Sequence, residues 1–171
     1  LQQTGCTTDE CAVEIGSLMG VQFMVSGSIG KIGQTYTIDS KIVSVETGQT
    51  VLSKQLTYEG EIDALINEMQ YMAYLLSEVD PPEDFMKNRK SGVIALDSDT
   101  EEISLDELII PKSSTVAVID FDGRGISSLE AQTLTDRFRT SVVGTGAVIV
   151  VERAMMLEII EEQGLQQSGC T

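Results

Sequence analysis

The spacing of apolar residues changes several times along this chain, and each change marks an element. Between Asp9 and Met19, residues Ala12, Ile15, Leu18 and Met19 fall on one face at helical spacing. Thr7 and Glu10, three residues apart, read as a capping box opening this helix, and Gly20 ends it. Residues 21–26 are largely apolar and predict a buried strand that stops at Gly27, after which Gly30 and Gly33 bracket a tight turn. Tyr36, Ile38 and Ile42 alternate until the phase slips to Val43 and Val45, which predicts a bulge. After a turn at Glu46-Thr47-Gly48, Leu52, Leu56 and Tyr58 share one face of a third strand, so residues 21–59 form an antiparallel meander. Ile62, Leu65, Ile66, Met69, Met72, Ala73 and Leu76 then return to helical spacing and predict a helix covering one face of that sheet.

From 78 to 113 the pattern breaks. Asp80-Pro81-Pro82 stops the helix, residues 87–90 form a brief basic patch, and residues 97–107 are acidic. This stretch reads as a linker containing two short apolar runs, Val93, Ile94 and Leu96, then Leu108, Ile109 and Ile110, each able to pair with a sheet edge. Residues 115–122 form the next buried-type strand. Ser127 and Glu130 make a second capping box, before a helix whose inner face is Ala131, Leu134, Thr135, Phe138 and Val142. Gly144 and Gly146 end it, residues 147–151 are another apolar strand, and residues 153–163 a helix burying Met155, Met156, Ile159 and Ile160. Strand, helix, strand, helix implies a right-handed parallel crossover. The expected class is α/β: a mixed sheet, part parallel crossover and part antiparallel meander, covered by helices.

The ends of the chain repeat one another. Leu1-Gln2-Gln3-Thr4-Gly5-Cys6-Thr7 recurs as Leu165-Gln166-Gln167-Ser168-Gly169-Cys170-Thr171, with Thr4 against Ser168 the one difference. The repeat reads as a unit that closes on itself, in which Cys170 opens a further copy and pairs with that copy's equivalent of Cys11. A short duplicated tail without architectural meaning is the alternative.

Composition narrows the chemistry. With 11 basic and 27 acidic residues the formal charge is −16, which argues against a surface that tracks phosphates, and so against nucleic acid. The absence of His removes Ser-His and Cys-His nucleophiles and imidazole metal sites. No run of 18 apolar residues predicts a transmembrane helix, and Leu1 does not open a basic-then-apolar leader, so the segment reads as mature or internal. Cys6 and Cys11 suit a small disulfide-closed loop in an oxidising compartment; the same spacing would suit half a metal site, but no second Cys pair or His completes it. No cofactor and no metal are expected.

Read across the repeat, the order becomes residues 116–122, helix, residues 148–153, helix, Gly169-Cys170, then the Cys6/Cys11 turn, helix and meander. In that permuted order the chain resembles the CsgG-type domain of the curli assembly and secretion family and related bacterial outer-membrane lipoproteins. The resemblance rests on Ala-Val-Ile-Asp-Phe at 117–121, Val-Glu-Arg at 151–153, Leu-Met-Gly-Val at 18–21, Val-Ser-Gly-Ser-Ile-Gly at 25–30 and Val-Glu-Thr-Gly at 45–48. It implies an α/β sandwich, extracellular or periplasmic and associated with the outer membrane, that acts by binding proteins. The family's pore-forming hairpins have no counterpart among these strands, so a pore is not expected.

Three other features invite chemistry. Residues 118–123 run an apolar strand into Asp120-Phe121-Asp122-Gly123, which resembles the nucleophile motif of haloacid-dehalogenase-type phosphatases, where magnesium bridges two carboxylates. Lys112 precedes the strand, and Asp97 and Asp99 lie in the linker, so that chemistry lacks its remaining groups; a strand-end turn is the favoured reading. Gly123, Gly125 and Ser127 read as a structural turn before a phosphate cradle, and the acidic stretch lacks calcium-loop spacing.

The sequence therefore divides into 1–77, the second half of a CsgG-like domain; 78–113, a linker; and 114–171, the first half. The expectation is a secreted, non-enzymatic assembly protein that polymerises or repeats through complementation of its halves, as an extracellular filament subunit would. The alternatives are an accessory module that binds an envelope protein and a magnesium-dependent phosphatase using Asp120 and Asp122.

Overall fold

The computed structural model describes residues 8–89, 93–95 and 109–162. Helix α1 (Asp9–Met19) begins at Thr8, whose side chain accepts a hydrogen bond from the Cys11 N–H, so the cap sits one residue later than the expected Thr7. Gly20 closes α1 in the left-handed region, φ 69°, where a side chain would be strained.

Strands β1 (Phe23–Ile32), β2 (Thr35–Ser44) and β3 (Thr50–Glu59) form the meander, and its register slips between Ile42 and Val43 as the hydrophobic phase predicted. A single 3-10 turn (Ile62–Ala64) leads into helix α2 (Leu65–Leu76). The stretch read as linker holds a short helix, α3 (Glu83–Asn88), and a three-residue strand, β4 (Val93–Ala95), which pairs antiparallel with β3 of its own chain.

The second half begins with β5 (Thr115–Val118) and β6 (Asp122–Arg124), where the sequence suggested one strand over 115–122. Both lie parallel to β1, with Val25 opposite Val118 and Ser28 opposite Asp122. Three steps along β1 thus answer four along the second half, and the extra residue interrupts the strand at Ile119–Phe121. Helix α4 (Ser128–Thr145) carries the predicted capping box: the Ser127 side chain accepts from the Glu130 N–H, and the Glu130 carboxylate accepts from the Ser127 N–H. Strand β7 (Ile149–Val150) and helix α5 (Arg153–Glu162) follow.

The result is α/β. Among the described residues, seven strands form one mixed sheet in the order β4-β3-β2-β1-β5-β7, with β6 beside β1. Side chains alternate across it. On one face Val25, Ile29, Ile38, Leu56, Val116 and Val118 pack with α2 and α4. On the other, Met24, Ala117 and Ile119 pack with Cys11, Ala12 and Ile15 of α1 and Met156 of α5. No helix among the described residues is long and apolar enough to cross a membrane.

Candidate functional site at the seam between the two halves

The two halves meet inside the sheet. Strand β1 is hydrogen-bonded to β2 of its own half on one side and to β5 and β6 on the other. At the lower end of the seam, Gln22 and Thr115 bind each other three times. The Gln22 N–H donates to the Thr115 carbonyl and to Thr115 Oγ1, each at 3.0 Å, while the Thr115 N–H donates to Gln22 Oε1, also at 3.0 Å. Further along, the Ile119 N–H donates to the Val25 carbonyl at 2.9 Å.

Above that point Phe121 turns inward. Its N–H donates to Thr135 Oγ1, and its ring lies 5.2 Å from that of Phe138, centroid to centroid. Thr135 is fully buried and its hydroxyl donates in turn to the Ala131 carbonyl, so the Phe121 N–H is paired inside the core. On both faces the seam is covered by helix pairs that join the halves: α2 against α4, and α1 against α5. Each half alone would leave the inner faces of β1 and β5 and two helix stripes in water, a loss of apolar burial worth roughly 25 cal/mol per Å².

The connection between the halves is tied down at both ends. Arg89 grips the Glu68 carboxylate with Nε at 3.0 Å and Nη2 at 2.7 Å, and its guanidinium stacks 3.6 Å from the centroid of Tyr71. Glu68 is 1% exposed, so this is a buried ion pair with its hydrogen bonds supplied. At the other end, the Glu78 carboxylate accepts the N–H groups of Ile109 (3.3 Å) and Ile110 (3.0 Å), and Ile110 is buried in the core. The sequence reading passed over this pair of anchors. A signal existed for one of them: Glu68 stands on the apolar face of its helix, between Leu65 and Met72, where an unpartnered carboxylate is not tolerated.

The residues singled out in the sequence fall as follows. Val93 and Ile94 belong to β4, on the β3 edge of the same chain. Ile109 is partly buried and Ile110 buried in the chain's own interior, while Leu96 and Leu108 lie outside the described residues. Cys11 is 3% exposed and disulfide-bonded; Cys6 and Cys170 lie outside the described residues.

The two carboxylates of the phosphatase-like motif are both engaged by guanidinium groups. Asp120 accepts from Arg139 Nη2 at 3.2 Å and Asp122 from Arg124 Nε at 2.9 Å. Arg139 also donates to Asp136 and to the Val118 carbonyl, which pins α4 to the end of β5. Each of the two carboxylates thus has a guanidinium partner in the fold, Asp120 through α4 and Asp122 within its own strand.

Two further groups are shifted by their surroundings. Burial raises the Tyr58 hydroxyl above its usual range, with the nearby Glu68 charge adding to it. The Ser127 backbone N–H and hydroxyl hold Glu130 below the usual carboxylate range. No family model matches this chain, and no curated protein or solved structure matches it significantly.

Proposed function

We propose that this chain is a non-enzymatic association module whose working surface is the seam itself: the contact that closes one chain on itself also joins one copy to the next. The observation that carries the reading is the seam's composition. It is a sheet interior rather than a surface patch, with β1 strand-paired to β5 and β6 and helices sealing both faces. The same interior is available to the second half of another copy, because its strand register and core contacts do not depend on which chain supplies them.

The terminal repeat supports the reading from the sequence side, since a unit that recurs about a seam can be extended copy by copy. So does the likeness to CsgG-type domains, whose relatives work through protein association at the bacterial envelope. We place the protein in an oxidising compartment, extracellular or periplasmic, on the strength of its cysteines. Exchange that closes gives dimers, and exchange that continues head to tail gives filaments.

Light scattering after size-exclusion chromatography, with electron microscopy at high concentration, tests this. Concentration-dependent dimers and longer chains are expected. Dispersed particles of 18.5 kDa at every concentration would overturn it. An accessory module bound to an envelope protein is favoured instead if the chain stays monomeric, since Val143 of α4, Ile149 of β7 and Met155 of α5, the last expected to be buried, are more than half exposed.

A further inference from the structure

Most of the outer side of β3 is open. The Gly60 N–H donates to the Gln34 carbonyl, and the β2–β3 register carries that alternation down the strand. The even-numbered residues from Leu52 to Tyr58 therefore bond to β2, and the N–H and C=O groups of Ser53, Gln55 and Thr57 face outward. Thr57 meets Ala95, the last residue of β4. Among the described residues no strand lies beside Ser53 or Gln55, and both are exposed.

Lys54 stands between those two positions. It shares the α2 side of the sheet with the buried Leu52 and Leu56 and is itself half-buried. In a chain with 27 acidic side chains, it makes no ion pair among the described residues. A lysine on an open edge opposes pairing with an unsuitable strand. A second copy of β3 is such a strand. Antiparallel edge pairing would set odd residues opposite odd ones, so Lys54 would face Thr50, Leu52, Lys54, Leu56 or Tyr58, none of them acidic. A strand that brings a carboxylate to that position gains a cross-strand ion pair instead.

We propose that the β3 edge from Leu52 to Leu56 docks an extended segment of another protein, antiparallel to β3, that carries an Asp or Glu opposite Lys54. The direction is the one β4 already takes on this edge, and the segment continues where β4 stops. Main-chain bonds to Ser53 and Gln55 supply affinity, and the Lys54 pair supplies selectivity. Residues opposite Leu52 and Leu56 lie on the apolar α2 side, and those opposite Ser53 and Gln55 on the polar side. Strand β2 separates this edge from β1 and the seam, so the proposal stands whether or not copies exchange halves.

The probe is the peptide acetyl-Val-Thr-Glu-Thr-Val-amide, titrated into the isotope-labelled full chain and followed by NMR and amide exchange. In the free protein the Ser53 and Gln55 amides should exchange readily. The peptide should shift their signals and slow their exchange. Replacing its Glu by Lys should weaken binding by about fivefold, and Lys54→Glu should reverse that preference. Methylating the two Thr nitrogens of the peptide, which face Ser53 and Gln55, should abolish binding. The proposal is overturned if the two amides are already protected in the dilute free chain, or if the Glu and Lys peptides bind equally. Undiminished binding of the methylated peptide overturns it too. Protection that rises with protein concentration alone would give the edge to a second copy and overturn it as well.

Discussion

The ring of Phe121 lies where a side chain on Gly27 would be. A Cβ built on Gly27 would come within 2.8 Å of Phe121 Cε2 and would also strike the Asp39 carbonyl oxygen of β2. Gly27 is therefore the point at which the second half is let into the first: β1 has no side chain there, β5 breaks, and the aromatic ring fills the space. Gly27→Ala should lower stability by about 1–3 kcal/mol or more, seen as a lower urea midpoint at unchanged slope. Gly144, near the end of α4, has nothing within 4 Å of its missing Cβ, and Gly144→Ala should be neutral or stabilising by up to about 1 kcal/mol. Equal effects at the two glycines would contradict this account of Gly27.

The Glu68–Arg89 pair predicts an asymmetry. Arg89→Ala strands a carboxylate that is 1% exposed and should cost about 3–5 kcal/mol, whereas Glu68→Gln leaves a neutral amide and should cost less. Combining Glu68→Gln with Arg89→Ala should recover part of the loss caused by Arg89→Ala alone. Additive losses in chemical denaturation would show that the two side chains are not coupled.

Across the seam, Gln22→Ala removes the acceptor for the Thr115 N–H at a solvent-exposed position. It should cost about 0.5–1.5 kcal/mol and speed amide exchange at Thr115, while leaving amides in the β2–β3 pairing untouched. Faster exchange spread evenly over the sheet would argue against a localised clamp.

Glu130 is held below its ordinary range by the Ser127 N–H and hydroxyl. A carboxylate whose folded pKa is depressed contributes stability that is present above its unfolded value, near 4.5, and lost as pH falls through the folded one. The start of α4 should therefore loosen in that acidic window, and Glu130→Gln should remove this part of the pH dependence. Carboxyl chemical shifts followed by NMR report the midpoint; one at or above 4.5 would contradict the capping geometry.

Much of this architecture was legible because it is local. The slip at Ile42/Val43, the Ser127/Glu130 box and the left-handed Gly20 are each written within a few residues, and all three are found. The break at Ile119–Phe121 was not legible, because those residues are apolar like the strand before them and only the absent side chain of Gly27, 94 positions away, makes room for the turn. For the same reason α3 and β4 disappeared into a linker. Arg89 read as one of a basic patch until Glu68 and Tyr71 were folded against it, and Val93–Ala95 is a strand only through β3. Of the candidate site, the sequence offered the repeat as a reason to read two complementary halves; that β1 joins the strands before residue 60 to those after residue 114 is seen only once it is placed between β2 and β5.

Exchange between copies depends on the chain joining Ala95 to Ile109 being long enough to close the seam within one molecule. Strand spacing and rise place Ala95 and Thr115 roughly 30 Å apart across the sheet. Deleting residues 97–107 leaves eight residues, Leu96 and 108–114, between Ala95 and Thr115, a reach of roughly 30 Å only when fully extended, with no slack to keep Ile110 buried and bonded to Glu78. Light scattering of this shortened chain is the most direct test. A folded dimer or longer assembly, with β1 amides as protected as in the intact protein, is the predicted result. A folded monomer with the same protection would contradict the claim that one interior can be completed from either chain.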